Sequence, residues 1–473
     1  MDEQNVQNQR PANPARRKRS NAQVFKEVYL PVIIAGVAAL FIIIFIVGSI
    51  VRKVQKNKLD KQASIAASES LAAEQARLAA EAQYLLEEAT RLADGFDYIG
   101  AIELLDTFRG DASQYPELNE KRDECIRLQD TLVLWNDPNQ VTNLSFQLLI
   151  ADTARAFVPG NYSSTIYNSF ITTTEFSAIL QQLYDNNYIL VRLEDFVATE
   201  KDADGTTVYV SKAMYLPEGK KPLMLTQTNV NYNLYLVDSD GDMVADKDGS
   251  GFASKLVLDG DKVLCEMVDA NGETVTGAYD LIPILDDFIE KHPDFSYRGA
   301  KATLAITGYN GIFGYRTNTE AREKFGEVAY EQDAENIRKI AEALTNSGYT
   351  LACYTYSNIP YGSSSVSEIQ ADLSNWNAEV VPLLGAVDIL VYAQKSDIFP
   401  GPGYSGDRYN LLKESGFNYF IGFCSSNSPW TEITNSYVRQ GRIMVSGSAL
   451  ESSPSWFEGM FDAASVLDPA RSS

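Results

Sequence analysis

The apolar positions of this chain fall into three regimes. From Val28 to Val51 they are continuous: the stretch VYLPVIIAGVAALFIIIFIVGSIV contains no charged residue. As a helix these residues span about 36 Å, enough for a hydrocarbon core of about 30 Å. A cleavable signal has a shorter apolar core and a small-residue cleavage site close behind it. Here Arg52, Lys53, Lys56 and Lys58 follow directly, which predicts a retained transmembrane helix over 28–51. In the second regime, residues 62 to about 94 are rich in Ala, Glu, Gln and Leu, with no Gly or Pro before Gly95, a composition that favours helix. Leu71, Leu78, Leu85 and Leu92 recur every seven residues, with Gln75, Ala82 and Ala89 between them. Such a seam is a weak coiled coil, because few of its positions are branched and apolar. Gly95-Phe-Asp-Tyr98 and Ala101–Leu105 suit the turn and second helix of a tetratricopeptide-type hairpin. A third amphipathic helix is expected from Pro116 to about Trp135. Residues 62–136 are therefore read as a small helical spacer, with dimerisation or the binding of a protein partner as its alternative role.

From about residue 140 short apolar runs alternate with amphipathic stretches. Strands are predicted at Phe146–Ile150, Leu223–Thr226, Ala302–Ile306, Thr350–Cys353, Asp388–Tyr392, Tyr419–Phe423 and Ile443–Val445. Helices are predicted at Thr174–Asn186, Ile282–His292, Glu331–Ser347, Ser365–Pro382 and Asp407–Ser415. In the fourth, Val366, Ile369, Leu373 and Trp376 form one apolar face. Regular β-α alternation implies parallel strands, in a barrel or a doubly wound sheet, and seven strands fit a slightly open barrel over 140–473. Residues 200–221 and 233–279 interrupt the alternation and read as insertions rich in Asp and Gly.

Charge gives the chain a direction. Of 473 residues, 40 are Lys or Arg and 63 are Asp or Glu. Residues 1–61 hold 11 basic and 4 acidic groups (net +7), leaving 29 against 59 (net −30) for the rest. Cations nearly balance across the apolar span, but a short tail carrying Arg16-Arg-Lys-Arg19 resists translocation, whereas a long domain does not. Residues 1–27 are thus expected in the cytoplasm and the C-terminal part outside. The acidity of that part argues against nucleic-acid binding. A single histidine, His292, rules out any site built on two imidazoles. Its place at a helix end, before Pro293, suits a structural role. The four cysteines, Cys125, Cys265, Cys353 and Cys424, form no Cys-x-x-Cys and read as buried thiols. Their number and spacing do not define a redox compartment.

The second insertion contains Asp238, Asp240, Asp242, Asp246 and Asp248 at positions 1, 3, 5, 9 and 11 of a calcium-type loop. Met243 stands where such loops have Gly, and Gly249 where they have Glu. The alternative is a solvated acidic turn.

Residues from about 140 to 450 resemble the polysaccharide deacetylase family, carbohydrate esterase family 4, in its membrane-anchored form found in Gram-positive bacteria. The phrases LPEGKKPLMLTQTNVNY (216–232), IPILDDFIEKHPDFSYRGAKATLAITGYNGIFGYRT (282–317) and NSGYTLACYTYSN (346–358) carry the likeness. The resemblance implies a distorted β/α barrel and metal-dependent removal of acetyl groups from glycans such as peptidoglycan. It also implies an Asp base beside an Asp ligand, and two His ligands four residues apart. Here Thr228 and Asn229 stand at the Asp pair, and Tyr354 and Asn358 at the His pair. The later Tyr-Pro-Tyr-Gly segment becomes Tyr392-Ala-Gln-Lys395, and Ser446 replaces an Asp near the last strand. Neutral Asn, Tyr and Asn do not hold a catalytic divalent ion, which needs a first shell able to acidify its water. The expectation is a scaffold without the family metal or other cofactor and without its base.

In a β/α barrel the residues just past the strand ends line the open face. That places Asn229, Asn231, Tyr354, Tyr356, Asn358, Tyr392 and Asp397 as candidates for glycan contact, or as filling of the former metal cavity. The leading expectation is an anchored, external, catalytically silent protein that binds cell-wall glycan or a partner protein. A hydrolase with reassigned carboxylates, drawn from Asp286, Asp287, Asp397 and Asp407, is the enzymatic alternative.

Overall fold

A computed structural model describes residues 21–159, 163–399 and 401–472. The tail cations Arg10, Arg16, Arg17, Lys18 and Arg19 lie outside the described residues. The chain divides into two compact units, Met1–Glu81 and Ala82–Ser473.

The first unit is helical. A helix, α1, runs Leu30–Asp94. Its apolar N-terminal part has the length and composition of a single membrane span, and none of it is buried. Farther along, Leu71 is 61% exposed, so this end of the predicted leucine seam is open to solvent. The seam is divided between uses, because Leu85 and Leu92 pack within the second unit.

The second unit starts with the last turns of α1. Ala82, Leu85, Ala89 and Ala93 pack against α2 (Tyr98–Leu105) and α3 (Pro116–Gln129), enclosing Leu118 and Cys125. Asp97 caps α2 by accepting from the Gly100 amide. The same carboxylate accepts from Arg298 Nε and Nη2 at 2.9 and 2.6 Å, and the Arg298 amide donates to the Gly95 carbonyl. These bonds join the three-helix spacer to the barrel. The third helix stops at Gln129, short of the expected Trp135. Val133–Trp135 is instead a strand, antiparallel to Met214–Leu216. Its β-branched and aromatic residues suit a pleated ladder, and the first insertion supplies the partner.

The barrel has seven parallel strands: β1 (Thr142–Phe146), β2 (Lys221–Thr228), β3 (Thr303–Ile306), β4 (Thr350–Cys353), β5 (Ile389–Val391), β6 (Tyr419–Cys424) and β7 (Val438–Met444). Each strand pairs with the next, and β7 pairs with β1. The ring therefore closes. Its slackest seam is β4–β5, where Cys353 opposite Leu390 is the one register pair. Helices α4 (Thr173–Asp185), α5 (Leu281–Lys291), α6 (Glu327–Asn346), α7 (Val366–Asn375) and α8 (Asp407–Glu414) follow the predicted order. The first insertion forms a hairpin, Val197–Lys201 with Thr207–Ser211. The second forms a meander of Lys255–Asp259, Lys262–Val268 and Thr274–Gly277.

Two apolar layers hold this together. An outer layer packs Leu144, Phe146, Leu225, Leu304, Ile306 and Phe420 under the helices, and an inner layer packs Met224, Ala305, Ala352, Ile389, Val391 and Ile421 inside the ring. Inside, the alternate positions of β1 and β7 are polar. Thr226 Oγ1 donates to Asn143 Oδ1, Asn143 Nδ2 to Gln440 Oε1, and Gln440 Nε2 to the Val141 carbonyl. This ladder explains two shifted strands. β1 was expected at Phe146–Ile150 and β7 at Ile443–Val445, because Asn143, Ser145, Gln440 and Arg442 look like solvent-facing residues in one dimension.

The single imidazole sits at the end of α5, its ring 4.4 Å from that of Tyr184 and 4.7 Å from that of Phe288. All four cysteines are free and buried.

Candidate functional site

The strand C-termini bring Thr228, Asn229, Tyr354 and Asn358 to one end of the barrel, as parallel topology requires. Thr228 Oγ1 donates to the Phe146 carbonyl at 3.2 Å, and Asn229 Nδ2 donates to Gln147 Oε1 at 3.3 Å. The Tyr354 amide donates to the Ile306 carbonyl at 2.8 Å, and its ring belongs to the inner layer. Asn229 (φ 61°), Thr355 (φ 62°) and Asn358 (φ 55°) are left-handed, so the backbone turns sharply just past these strands. None of the four side chains is a carboxylate or an imidazole.

Arg442 on β7 supplies a charge here that sequence reading missed. Its side chain is enclosed in the ring and donates to Ser145 Oγ (3.1 Å), the Gly422 carbonyl (3.0 Å) and the Tyr392 carbonyl (3.1 Å). All three acceptors are neutral. The guanidinium carbon is 5.9 Å from the centre of the Tyr354 ring. Burial pushes the Arg442 pKa down. The one-dimensional signal was the second of two arginines in an unassigned stretch, with nothing to mark it as interior.

The expected glycan residues do not all share one surface. Asn229, Asn231, Tyr354, Tyr356 and Tyr392 are buried. Asn229 Oδ1, Asn358 Oδ1, Thr307 Oγ1 and both amide atoms of Asn231 are buried without hydrogen-bond partners. Tyr356 packs in the outer layer, its hydroxyl donating to Glu379. The loop holding it is fixed by buried Asp372, which accepts from the amides of Tyr356 and Ser357 and from the Tyr361 hydroxyl. A Cβ on Gly308 would meet the Tyr356 ring at 2.4 Å, so only glycine permits this approach. Tyr392 also faces the outer layer, stacked on Phe420.

Asp397 lies in a cleft of about 790 Å³ beyond the ends of β5 and β6. Lys395, Phe423, Trp430, Glu432 and Arg439 line it with Asp397. Arg439 donates through Nε and Nη2 to Asp397 Oδ2 at 3.0 and 2.8 Å. Its guanidinium lies over both Tyr404 and Trp430, at 4.6 and 5.0 Å from their ring centres. Trp430 lies flat against β7, because Gly441 has no Cβ to oppose it; one would meet Nε1 at 2.4 Å. The Lys395 ammonium stands 4.7 Å over the Phe423 ring. Burial lowers the Lys395 pKa, and the nearby charge of Arg442 lowers it further.

The remaining carboxylates are dispersed. Asp286 on α5 accepts from Lys301 Nζ at 2.6 Å and from the Tyr349 hydroxyl at 2.8 Å. Asp287 is its helical neighbour, and Asp407 starts α8. In the acidic loop, Asp238, Asp240 and Asp246 bring carboxylate oxygens within 4.8 Å of one another. Asp242 and Asp248 are not part of that group; Asp242 Oδ1 accepts from the Val244 amide, and Asp248 pairs with Lys247.

No protein-family model matches this chain, and no curated protein matches it. Among solved structures it is similar to the Streptococcus pyogenes deacetylase PplD in complex with acetate, at 10% identity and a TM-score of 0.33, covering 70% of this chain and 100% of that chain.

Proposed function

We propose that this chain is a membrane-tethered protein of the cell envelope that binds glycan without deacetylating it. In this reading the helix over 28–51 crosses the membrane, the basic tail stays in the cytoplasm and the barrel stands outside. The observation that carries the binding role is the cleft beyond β5 and β6. Phe423 and Trp430 supply apolar surface to its lining, and ion-paired Asp397 and Arg439 fix its wall. Aromatic surface with a few placed polar groups is the usual make-up of a small-molecule site.

Silence follows from the charges at the barrel end. A divalent ion beside Thr228, Asn229, Tyr354 and Asn358 would have neutral donors and no base. The buried Arg442 guanidinium, 5.9 Å from the centre of the Tyr354 ring, would oppose such an ion as well. These residues do not fit a metal-dependent deacetylase. The cleft carboxylates do not replace them. Both Asp397 oxygens accept hydrogen bonds, and Glu432 Oε1 accepts from the Gly403 amide and the Tyr437 hydroxyl.

Two measurements on the full chain in detergent test this reading. Acetate release from acetylated chitooligomers and from peptidoglycan, with zinc or cobalt supplied, is expected to stay at background. Sedimentation with purified cell walls is expected, and Trp430→Ala is expected to weaken it. Metal-dependent turnover abolishes the silent assignment, and an unbound chain abolishes the binding one.

A further inference from the structure

The charged side chains of the cleft differ in what they are bonded to. Asp397 Oδ1 is filled by the Tyr404 hydroxyl and the Phe399 amide, and Oδ2 by Arg439. Arg439 in turn spends its other donors on the Gly401 and Phe399 carbonyls. Glu432 Oε1 is filled twice, and Oε2 faces Arg439 Nη1 at 3.7 Å. The acidic side chains of the cleft are therefore committed to the protein.

Lys395 is different. It has no carboxylate partner among the described residues, in a chain of net charge −23. It is exposed, it lines the cleft, and Phe423 holds its ammonium over a ring face rather than against an acid. Gln394 (φ 51°) and Lys395 (φ 59°) are both left-handed, and Gln394 Nε2 donates to the Asn358 carbonyl at 2.7 Å. The turn that presents Lys395 is thus a built feature of the strand end. Behind it lies Arg442, a buried cation whose hydrogen bonds all go to neutral acceptors.

Among the charged groups that line the cleft, Lys395 and Arg439 balance Asp397 and Glu432, and three of these four are bonded to one another or to the protein. The group left to meet a ligand is a three-donor ammonium, which a carboxylate satisfies best. We infer that the cleft takes an acidic glycan, with the Lys395 ammonium pairing a sugar carboxylate beside the apolar surface of Phe423 and Trp430. This rests on the glycan-binding reading above and names the class of glycan.

The probe is peptidoglycan strands stripped of their peptides, whose lactyl groups carry free carboxylates, compared with the same strands after methyl esterification. Binding to the full chain in nanodiscs of uncharged lipid is measured at pH 7. The free acid is expected to bind about ten-fold tighter than the ester, the size of one charge-assisted hydrogen bond. Lys395→Gln is expected to lower acid binding to the ester's level and leave the ester unchanged, while Lys395→Arg retains the preference. Equal affinity for acid and ester, or equal loss of both in Lys395→Gln, overturns the acidic preference while the glycan reading stands. Absence of binding by either form, with neutral chitohexaose also unbound, overturns both.

Discussion

Asp280 is a carboxylate buried with no ion-pair partner among the described residues, and it makes the stability of the barrel depend on pH in an uncommon direction. Its Oδ1 accepts from the Leu149 amide and Gln227 Nε2, and its Oδ2 from Gln227 Nε2 and the Tyr232 hydroxyl. It thereby ties the segment after β1 and the end of β2 to the start of α5. Burial raises its pKa from 3.8 to about 6, against the opposing pull of these hydrogen bonds. A shift of this size corresponds to about 3 kcal/mol. The folded pKa is above the unfolded one, so between about pH 4 and pH 6 the native state holds a proton that the unfolded chain has lost. Stability from this group therefore falls as pH rises through that window, and the full penalty is present above about pH 6. Asp280→Asn removes the titration while keeping the shape. The Oδ1 acceptor for the Leu149 amide remains, and Gln227 Oε1, buried without a partner, can accept from the new amide once the Gln227 carboxamide turns over. Urea unfolding of the full chain in neutral detergent, followed by tryptophan fluorescence at several pH values, isolates the effect as variant minus wild type. The variant is expected to gain about 2 kcal/mol on the wild type between pH 4.5 and pH 7.5. A difference flat to within about 0.5 kcal/mol refutes a raised carboxyl at this position.

Glu175→Gln breaks a fully enclosed ion pair with Arg471, whose Nε and Nη2 donate to both carboxylate oxygens. The stranded cation is expected to cost about 3–5 kcal/mol, read as a lowered urea midpoint. Asp97→Ala removes both the cap of α2 and the acceptor of Arg298. A loss of about 2 kcal/mol and faster proteolysis confined to residues 82–132 are expected. Gly441→Val places carbon where the Trp430 ring lies; the tryptophan is expected to leave the cleft, with a red-shifted emission and loss of cell-wall sedimentation. Gly308→Ala forces the Tyr356 ring aside and is expected to cost about 1–3 kcal/mol, measured in the same unfolding assay.

The outer half of the barrel was legible in one dimension. Strands β2 to β6 and helices α4 to α8 carry apolar residues toward the outer layer at regular spacing, and each lies within a few residues of its expected range, except that α7 ends at Asn375 and a π turn, Trp376–Val380, takes up the rest of the stretch expected to reach Pro382. β1 and β7 were displaced because their inward positions are Asn143, Ser145, Gln440 and Arg442, which hydrogen-bond to one another and to the wall instead of reaching water. The end of α3 was overrun for a related reason: Val133–Trp135 joins a partner 79 or more residues away in sequence, Met214–Leu216, which no local pattern announces.

By itself the sequence determined the apolar N-terminal span, the alternation of strands and helices, and the absence of a second imidazole, because each depends on residue type and near spacing alone. Tertiary structure decided what those residues meet. It enclosed Tyr354 and Asn229, turned Tyr356 and Tyr392 toward the outer layer, set Arg442 inside the ring, and left Lys395 without a carboxylate partner among the described residues, in a cleft lined by Phe423 and Trp430. The physical reason is that burial and charge balance are sums over neighbours in space, and in a closed parallel barrel those neighbours come from strands dozens to hundreds of residues apart.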